Sequence, residues 1–553
     1  MTQQIAALSE ELLKVKSDAS PLWASIFGVD GYDGVVDDLS ADGDSVKAAS
    51  LRDLESRAAK LDRESLSDVD RVTHAVLLHE ARTLAESFED GHAELLVSGH
   101  ASPVSALFQT LPKMPKEKVD GLESRLRQLP TYLEQTAERM TGGVAKGRGP
   151  HARGLQGTIE QLKSYLALPV DQDPFLQPAV GTARFDTVRD LVADDVRPAF
   201  QGLLDVLRGP VRDGARSDDQ PGMAYVPGGD PVYRRALAAH TTTDRSPEQI
   251  HQTGLDLVAQ LREEYARLGQ SVFGDSDVDR VIDRLRNDKG LRYETPAQMM
   301  TDARGSLARA EQALPDFFGT YHNALCEVEE MSVLEAPTAV LGYYIPPASD
   351  GSRPGRHWLN TYQPETRTRY EYETLAFHES VPGHHLQLAV AQELEGVPDF
   401  RRFGYVAAFS EGWGLYTERL CDEMGLYSSD LARFGMVSFD SWRATRLVVD
   451  TGLHHYGWSR QQAIDYMWHN SALTMQNIVN EVDRYISWFG QANGYMIGRL
   501  EIDALRAEAK QQLGEAFDIK AFHDAVLLNG SIPLTVLRDE VTRTLGLAPR
   551  LVR

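Results

Sequence analysis

The most informative part of the chain reads Phe377-His378-Glu379-Ser380-Val381-Pro382-Gly383-His384-His385-Leu386-Gln387. It brings imidazoles and a carboxylate together in a short segment, and a further carboxylate, Glu411, follows in a run rich in Gly and Trp. Two neutral His nitrogens and one Glu oxygen form the open ligand set of a catalytic zinc ion, whose fourth position is left for water. A Glu directly after the first His is then placed to take a proton from that water. The pattern predicts a zinc-dependent hydrolase with His378 and Glu411 as metal ligands and Glu379 as general base.

The spacing of the histidines differs from the common zinc-peptidase motif. In H-E-x-x-H the two His lie four residues apart on one helical face. Here the fourth residue after His378 is Pro382, which cannot bind a metal and disfavours an uninterrupted helix. We therefore expect the helix to bulge or restart at the step from Pro382 to Gly383. An undistorted helix would place His385 on the face of His378, whereas His384 needs the bulge, so the spacing alone leaves both open.

The rest of the chain predicts a mostly α-helical fold. Apolar residues recur at helical spacing up to about Pro337 and again after Glu418. A capping hydroxyl followed by Pro and then Gln marks a helix start at Ser246. We expect an N-terminal helical region, residues 1–245, that is structurally continuous with a metal-binding catalytic region, residues 246–553.

A small β-sheet is expected just before the metal-binding segment. Residues 338–345 are rich in β-branched and aromatic side chains and end at a Pro-Pro step, which is typical of a strand. A turn at 350–355 leads to a second candidate strand at 357–362. Such a strand edge could pair with an extended peptide, or the hairpin could simply cover the core. Gly, Pro and Asp also predict a loop at 141–153.

Composition and charge exclude several classes of protein. The chain has 553 residues, 42% of them hydrophobic and 25% charged, which is a globular composition. Its formal charge of −24 argues against nucleic-acid binding, because a phosphate-binding surface needs a basic patch. The N-terminus lacks the pattern of a signal peptide, and no apolar run is long enough to cross a membrane. We therefore expect a cytoplasmic protein with no membrane partner and no disulfide scaffold.

Several motifs together resemble the large bacterial family labelled "domain of unknown function 885". The residues that carry this resemblance are 377–387 with 411–418, 343–347 with 350–355, 450–454 with 457–458, 490–492 with Tyr495 and Gly498, and 522–523 with 529–530. They span the chain from about Ser246 to the C-terminus. The family in turn implies a relation to helical gluzincin metallopeptidases, the thimet-oligopeptidase and thermostable-carboxypeptidase groups.

The resemblance also implies roles for individual residues. The gluzincin groups carry His-Glu-Phe-Gly-His-Ala-Leu, and 383–386 is similar to its second half with two residues inserted before it. This alignment makes His384 the second metal ligand and His385 a neighbour that could contact substrate. The third ligand in such enzymes is a Glu on the next helix, which Glu411 matches. Glu418 would then suit the orientation of a ligand His, or else a surface ion pair.

A zinc hydrolase also needs a donor for the developing oxyanion and contacts to its substrate. Candidate donors are Tyr495, Tyr485 and His454, with Tyr485 also a candidate substrate contact; each could instead be a packed core ring. Arg443 and Arg446 lie three apart on one helical face and could hold a substrate carboxylate, or could pair with nearby acidic residues.

Three functions remain open from the sequence. The leading hypothesis is zinc-dependent hydrolysis of a peptide or small amide. The motif could also belong to a non-catalytic metal-binding scaffold or to a hydrolase of a specialised non-peptide amide. A di-iron carboxylate bundle needs two Glu-x-x-His pairs, which Glu89 with His92 and Glu248 with His251 would supply. Substrate identity, exo- or endo-cleavage and oligomeric state stay open.

Overall fold

A computed structural model gives the fold of the chain for residues 2–26, 28–99, 102–321, 324–333, 336, 339–348 and 351–548. Thr338, at the start of the first predicted strand, and Asp350, at the start of the predicted turn, lie outside these residues. The predicted fold class is confirmed, because helices surround a small β-sheet that packs beside the metal-site helix.

Amphipathic helices form the chain up to Phe317. They are α1 (Gln3–Ala19), α2 (Pro21–Ile26), α3 (Ala41–Ala58), α4 (Asp68–Glu89), α5 (Pro103–Thr110), α6 (Val119–Ala145), α7 (Ala152–Ala167), α8 (Phe185–Leu191), α9 (Arg197–Val206), α10 (Gly229–Thr241), α11 (Pro247–Phe273), α12 (Val278–Asn287) and α13 (Pro296–Phe317). Ser246 caps α11 as predicted, since its hydroxyl accepts from the backbone N–H of Gln249 in a full capping box.

The predicted loop at 141–153 begins later than the sequence suggested. Helix α6 continues through its two adjacent glycines to Ala145. A Cβ at Gly143 would lie 2.9 Å from the Cβ of Glu94. Gly143 therefore serves close packing against Glu94 within a helix that continues past it.

Two large groups of buried apolar residues hold the helices together. One lies entirely within 22–211 and includes Leu126 of α6 and Phe200 of α9. The other runs from Leu8 to Leu547 and includes Leu77 of α4 as well as Trp413, which follows the metal-binding segment. The N-terminal helices therefore share an apolar core with the part of the chain that carries the histidines.

The sheet has the strands β1 (Cys326–Glu330), β2 (Gly342–Ile345) and β3 (Gly355–Leu359) in the order β1-β3-β2. Strand β3 is central, parallel to β1 and antiparallel to β2. The two predicted strands correspond to β2 and β3. The expectation of helix up to Pro337 is wrong at β1, whose apolar positions Cys326 and Val328 face the core while its glutamates face outward. Those glutamates weaken the strand signal in the sequence.

Helices return after the sheet and carry the candidate site. They are α14 (Tyr372–Glu379), α15 (His384–Gln392), α16 (Asp399–Arg402), α17 (Ala407–Glu423), α18 (Asp430–His454), α19 (Arg460–Asn470), α20 (Met475–Ser487), α21 (Gly494–Leu513), α22 (Ile519–Leu527) and α23 (Leu534–Thr544). Helices α17 and α21 cross at glycines: a Cβ at Gly498 would lie 1.8 Å from the carbonyl oxygen of Ala408. This close crossing brings Glu411 of α17 and Tyr495 of α21 to the same region.

Candidate metal centre

The helix that carries the first histidine breaks where the sequence predicted. Helix α14 ends at Glu379 and α15 begins at His384, so the Pro382–Gly383 step lies between two helices. The indole N–H of Trp413 donates to the carbonyl of Pro382 at 3.0 Å, which ties the break to α17. A Cβ at Gly383 would lie 2.0 Å from the carbonyl oxygen of His378, so only glycine allows this close return of the chain.

This break brings His378, His384 and Glu411 together. The Nε2 atoms of His378 and His384 lie 3.4 and 3.7 Å from Oε2 of Glu411. One ligand atom from each of the three residues lies within 4.8 Å of the others. Over the described ranges, no other group of three His, Cys, Asp or Glu side chains approaches as closely. The three residues could hold a metal ion.

Two further contacts fix the orientation of these ligands. Oε1 of Glu418 lies 2.8 Å from Nδ1 of His378, and Glu418 is fully buried. This carboxylate leaves Nε2 as the ring atom that faces Glu411. The hydroxyl of Tyr405 donates to Oε1 of Glu411 at 2.5 Å, which leaves Oε2 directed at the histidines.

Gly414 of α17 lies directly under the ring of His378. A Cβ at this position would come within 2.5 Å of the ring atom Cε1. The absence of a side chain at Gly414 therefore allows α17 to pack against the imidazole, with Glu411 and Glu418 on either side of that contact.

The carboxylates favour positive charge at the centre. Burial lowers the pKa of His378, but the carboxylates of Glu411 and Glu418 outweigh burial and raise it to about 10. Burial would raise the pKa of Glu411, yet hydrogen bonds from His378 and His384 hold it well below its usual range. Such an arrangement stabilises a cation between the imidazoles and the carboxylate.

Glu379 stands beside this centre without a partner of its own. Its carboxylate makes no hydrogen bond or ion pair with the residues described, and its side chain is only partly buried. Burial raises the pKa of Glu379, while the charges of His378 and His384 lower it. A free carboxylate next to a metal-ligand set can accept a proton from a nearby water.

His385, the second candidate ligand from spacing, points away from the centre. Its Nδ1 lies 2.7 Å from the hydroxyl of Tyr344, and its Nε2 donates to the carbonyl of Ala324 at 3.0 Å. Both ring nitrogens are therefore committed to the sheet side of the structure. His385 is not part of the ligand group, and no ring nitrogen is left for the predicted substrate contact.

Two of the three predicted oxyanion donors, His454 and Tyr485, have no N–H or O–H group left to bind an oxyanion. Nδ1 of His454 accepts from the backbone N–H of Met223 at 3.1 Å, and its Nε2 donates to the carbonyl of Tyr485 at 3.1 Å. Burial lowers the pKa of His454 to about 3. The hydroxyl of Tyr485 donates to Glu481 at 2.5 Å. Both residues thus serve as structural connections between helices. The hydroxyl of Tyr485 is also not free to make the predicted contact with a substrate.

Tyr495 differs from these two residues. Its hydroxyl makes no hydrogen bond with any residue in the described part of the chain, and its side chain is only partly buried. The guanidinium of Arg446 lies 4.5 Å above its ring. Burial and then the charge of Glu411 raise the pKa of Tyr495, which keeps the phenol protonated at neutral pH. Tyr495 therefore offers a free O–H near the metal-ligand group.

The two candidate arginines also differ. Arg446 forms an ion pair with Glu481 at 2.9 Å and donates to Tyr485 at 2.9 Å. Arg443 has no carboxylate partner among the described residues; its guanidinium stacks 4.3 Å from the ring of Trp442. It is only 6% exposed, and its Nε is buried without a hydrogen-bond acceptor in the described chain.

The two acidic residues of α18 that are nearest to Arg443 in sequence, Asp440 and Asp450, do not pair with it. Asp440 binds Arg419 and Arg499, whereas Asp450 accepts from Tyr233 and from Asn493. The charge of Arg443 also lowers the pKa of Glu379. Arg443 is therefore a buried cation near the centre for which the described part of the chain supplies no anionic partner.

The di-iron alternative is not supported by the geometry. His251 lies 2.8 Å from the hydroxyl of Thr451, and Glu248 forms an ion pair with Arg234 at 3.0 Å. Glu89 binds Arg52. None of these pairs belongs to a metal-ligand group within the residues described.

A cavity of about 480 Å³ lies next to the metal centre and does not contain its ligands. Residues of α4 and α10 line it, together with Tyr405 and Trp488. Tyr405 links the two features, because its side chain lines the cavity while its hydroxyl binds Glu411. Sequence reasoning missed Tyr405, since it precedes the start of α17 and helical spacing from Glu411 does not reach it.

The chain belongs to the family described as "Bacterial protein of unknown function (DUF885)", whose model matches residues 21–541. The predicted family is thereby confirmed. No curated protein matches the chain.

Three solved structures are similar to varying degrees. A "putative lipoprotein" from Colwellia psychrerythraea shares 28% identity with a TM-score of 0.88, covering 98% of this chain and 99% of that one. A "putative lipoprotein of unknown function" from Shewanella oneidensis shares 18% identity with a TM-score of 0.78, covering 97% and 99%. A "putative oligoendopeptidase F" from Bacillus anthracis shares 11% identity with a TM-score of 0.29, covering 90% and 92%. The first two share the fold, and the third similarity is too low to support an argument.

The cellular location stays a prediction. Within the described residues, no helix combines the length and the apolar character needed to span a membrane. Two of the similar structures carry the word lipoprotein in their own names, which says nothing further of this chain. The cytoplasmic location and the absence of a nucleic-acid or membrane partner remain untested expectations.

Proposed function

We propose that this protein is a zinc-dependent hydrolase that cleaves a peptide or amide bond. The observation that carries the proposal is the convergence of His378, His384 and Glu411 beside Glu379, whose carboxylate has no partner within the described ranges. Ligands of a tetrahedral zinc ion, at about 2.0–2.1 Å from the metal, lie roughly 3.4 Å from one another. The distances of 3.4 and 3.7 Å to Glu411 fit that requirement.

The residues of the chain then have distinct roles. A zinc ion held by the three ligands would polarise the substrate carbonyl and increase the acidity of a water molecule. Glu379 accepts a proton from that water as its oxygen forms a bond with the carbonyl carbon. Tyr495 donates a hydrogen bond to the carbonyl oxygen as negative charge develops on it. The C–N bond then breaks, and the leaving nitrogen takes the proton from Glu379, giving a carboxylic acid and an amine.

The surroundings support binding of a peptide or a small amide. Arg443 offers a buried guanidinium that no carboxylate of the described residues binds, which suits a substrate carboxylate. The cavity beside Tyr405 offers room for further groups of the substrate. Tyr485, Arg446, His385 and His454 support the site through their contacts with other protein groups.

Replacement of Glu379 by Gln tests the proposal. The variant should bind zinc as the wild type does, measured by metal analysis, but should lose turnover by about 10²- to 10⁴-fold. Turnover is measured on a library of dipeptides and blocked peptides, with and without a chelator. Glu395→Gln, an exposed change outside the ligand group, is the control and should leave turnover unchanged.

Each result separates the candidate functions. Full activity in Glu379→Gln, or activity that survives removal of metal, would contradict the proposed chemistry. Zinc binding without turnover on any library member would favour a non-catalytic scaffold. Turnover of blocked amides but not of peptides would indicate a hydrolase of a specialised amide.

A further inference from the structure

The cavity beside Tyr405 is lined by several carboxylates, and they differ in whether a cation of the protein binds them. Both carboxylate oxygens of Asp90 accept from Arg235, one from Nε and one from Nη2, and Glu80 binds Lys16 at 2.6 Å. Glu86 also lines the cavity, but its nearest cation is Arg52, at 4.0 Å. It is the lining carboxylate that remains without a close partner in the described structure.

The arginines around Glu86 are already occupied. Arg52 binds Glu89 at 2.7 Å and Glu55 at 2.8 Å, and Arg235 binds Asp90. The Glu86 side chain is only 24% exposed, so its charge is partly removed from water. A partly buried carboxylate with no close cation is costly unless a ligand supplies the missing charge.

Three histidines supply the same cavity with nitrogens that can accept a hydrogen bond. His79, His92 and His240 all line it, and no hydrogen-bond partner of their rings lies in the described residues. Nε2 of His92 is completely buried and unpaired. Burial lowers the pKa of each ring, that of His240 to about 4, so all three are neutral near pH 7. A neutral imidazole offers one nitrogen that accepts a hydrogen bond.

An aromatic wall completes the lining. Trp488 lies in the cavity with its ring 6.2 Å from that of His240 in an edge-on arrangement. It also lines a neighbouring cavity of about 360 Å³, so its ring lies where the two spaces meet. The face of an indole attracts an ammonium or guanidinium group.

We propose that this cavity is a substrate subsite for a positively charged group, with Glu86 as its carboxylate partner and Trp488 as its aromatic wall. The group is an ammonium or guanidinium, either on a lysine-like or arginine-like side chain or at a peptide N-terminus. The inference rests on the proposed function in calling the ligand a substrate. Tyr405 lines the cavity and its hydroxyl binds Glu411, so one side chain connects the proposed subsite with the metal ligands.

Binding to the zinc-loaded Glu379→Gln protein tests the subsite without requiring turnover. The probes are tetrapeptides of alanine in which one position is lysine, norleucine or glutamate, each with a free or an acetylated N-terminus. Calorimetry should show that the lysine peptide binds about tenfold more tightly than its norleucine counterpart, a difference of about 1.4 kcal/mol. If acetylation instead weakens binding of the lysine, norleucine and glutamate peptides alike, the N-terminal ammonium is the bound group.

Matched variants assign the preference to the cavity. Glu86→Gln should remove most of it, whereas Glu89→Gln, on the same helix but outside the lining, should retain it. Trp488→Leu is a second test in case Glu86→Gln proves unstable, and it should weaken binding of the cationic peptides. Equal affinity for the lysine, norleucine and glutamate peptides with both N-termini would overturn the inference. The proposed hydrolysis would be unaffected by that result, since it is judged by turnover.

Discussion

Nδ1 of His378 lies 2.8 Å from Oε1 of the fully buried Glu418, forty residues further along the chain. A carboxylate in this position fixes the imidazole so that Nε2 faces Glu411, and it makes the ring a stronger ligand. Glu418 therefore acts on the metal centre through His378.

Glu418→Gln should weaken zinc binding by about 10- to 100-fold, because the amide can no longer accept with a full negative charge. Competition with a chromogenic chelator measures the change. Glu395→Gln should leave the affinity unaltered. An unchanged zinc affinity in Glu418→Gln would show that the contact does not support the ligand.

Gly414→Ala should disturb the same ring through a direct steric contact. The new Cβ would lie 2.5 Å from Cε1 of His378, so the imidazole or α17 must move. We expect a loss of zinc affinity together with a lower melting temperature. Gly202→Ala, a helical position where a Cβ meets nothing within 4 Å, should preserve both properties. Normal zinc binding in Gly414→Ala would contradict the close packing.

Some of this centre could be predicted from sequence and some could not. Pro382 disfavours a continuous helix and Gly383 allows an unusual backbone conformation beside it, so the break was predictable. The partners of His454 were not, because its Nδ1 binds the backbone of Met223, which is remote in sequence. Long-range contacts of this kind depend on the packing of α18 against other segments. No local pattern in the chain reports them.

Tyr495→Phe should lower kcat by about 10²- to 10³-fold with little change in stability, because the free hydroxyl is removed from the developing oxyanion. Tyr485→Phe is the matched change, and its main effect should be on stability instead of on kcat. It breaks contacts with Glu481 and Arg446, so it should lower the melting temperature more than kcat. Steady-state kinetics and thermal unfolding separate the two. Unaltered kcat in Tyr495→Phe would show that its hydroxyl does not stabilise the developing oxyanion.

Arg443→Lys should raise KM by about tenfold for substrates with a free carboxylate, because a bidentate guanidinium contact is lost. The corresponding amides should be cleaved equally well by variant and wild type. In Arg446→Lys the ion pair with Glu481 is weakened, so a stability defect is expected without a selective effect on carboxylate substrates. Identical KM changes for acids and amides in Arg443→Lys would assign Arg443 a structural role.

Asp450 should make the stability of the protein depend on pH. Its carboxyl is fully buried, and burial raises its pKa to about 6 despite hydrogen bonds from Tyr233 and Asn493. Because its pKa is higher in the folded than in the unfolded chain, the folded state binds the proton more tightly. The stabilisation that comes from the protonated Asp450 carboxyl is therefore fully present below about pH 4. It is lost as the pH rises through 6, and the free energy of unfolding falls by about 3 kcal/mol in total.

Asp450→Asn removes this titration, since an amide stays neutral at every pH. The melting temperature of the variant relative to wild type should thus increase steadily between pH 4.5 and 7 and level off above pH 7. Asp465→Asn, on the exposed face of α19, should show no such trend. A constant difference between Asp450→Asn and wild type over that range would mean that Asp450 is already ionised in the folded protein at pH 4.5. The hydrogen bonds of Tyr233, Asn493 and the backbone of Gly490 would then outweigh the cost of burying its charge.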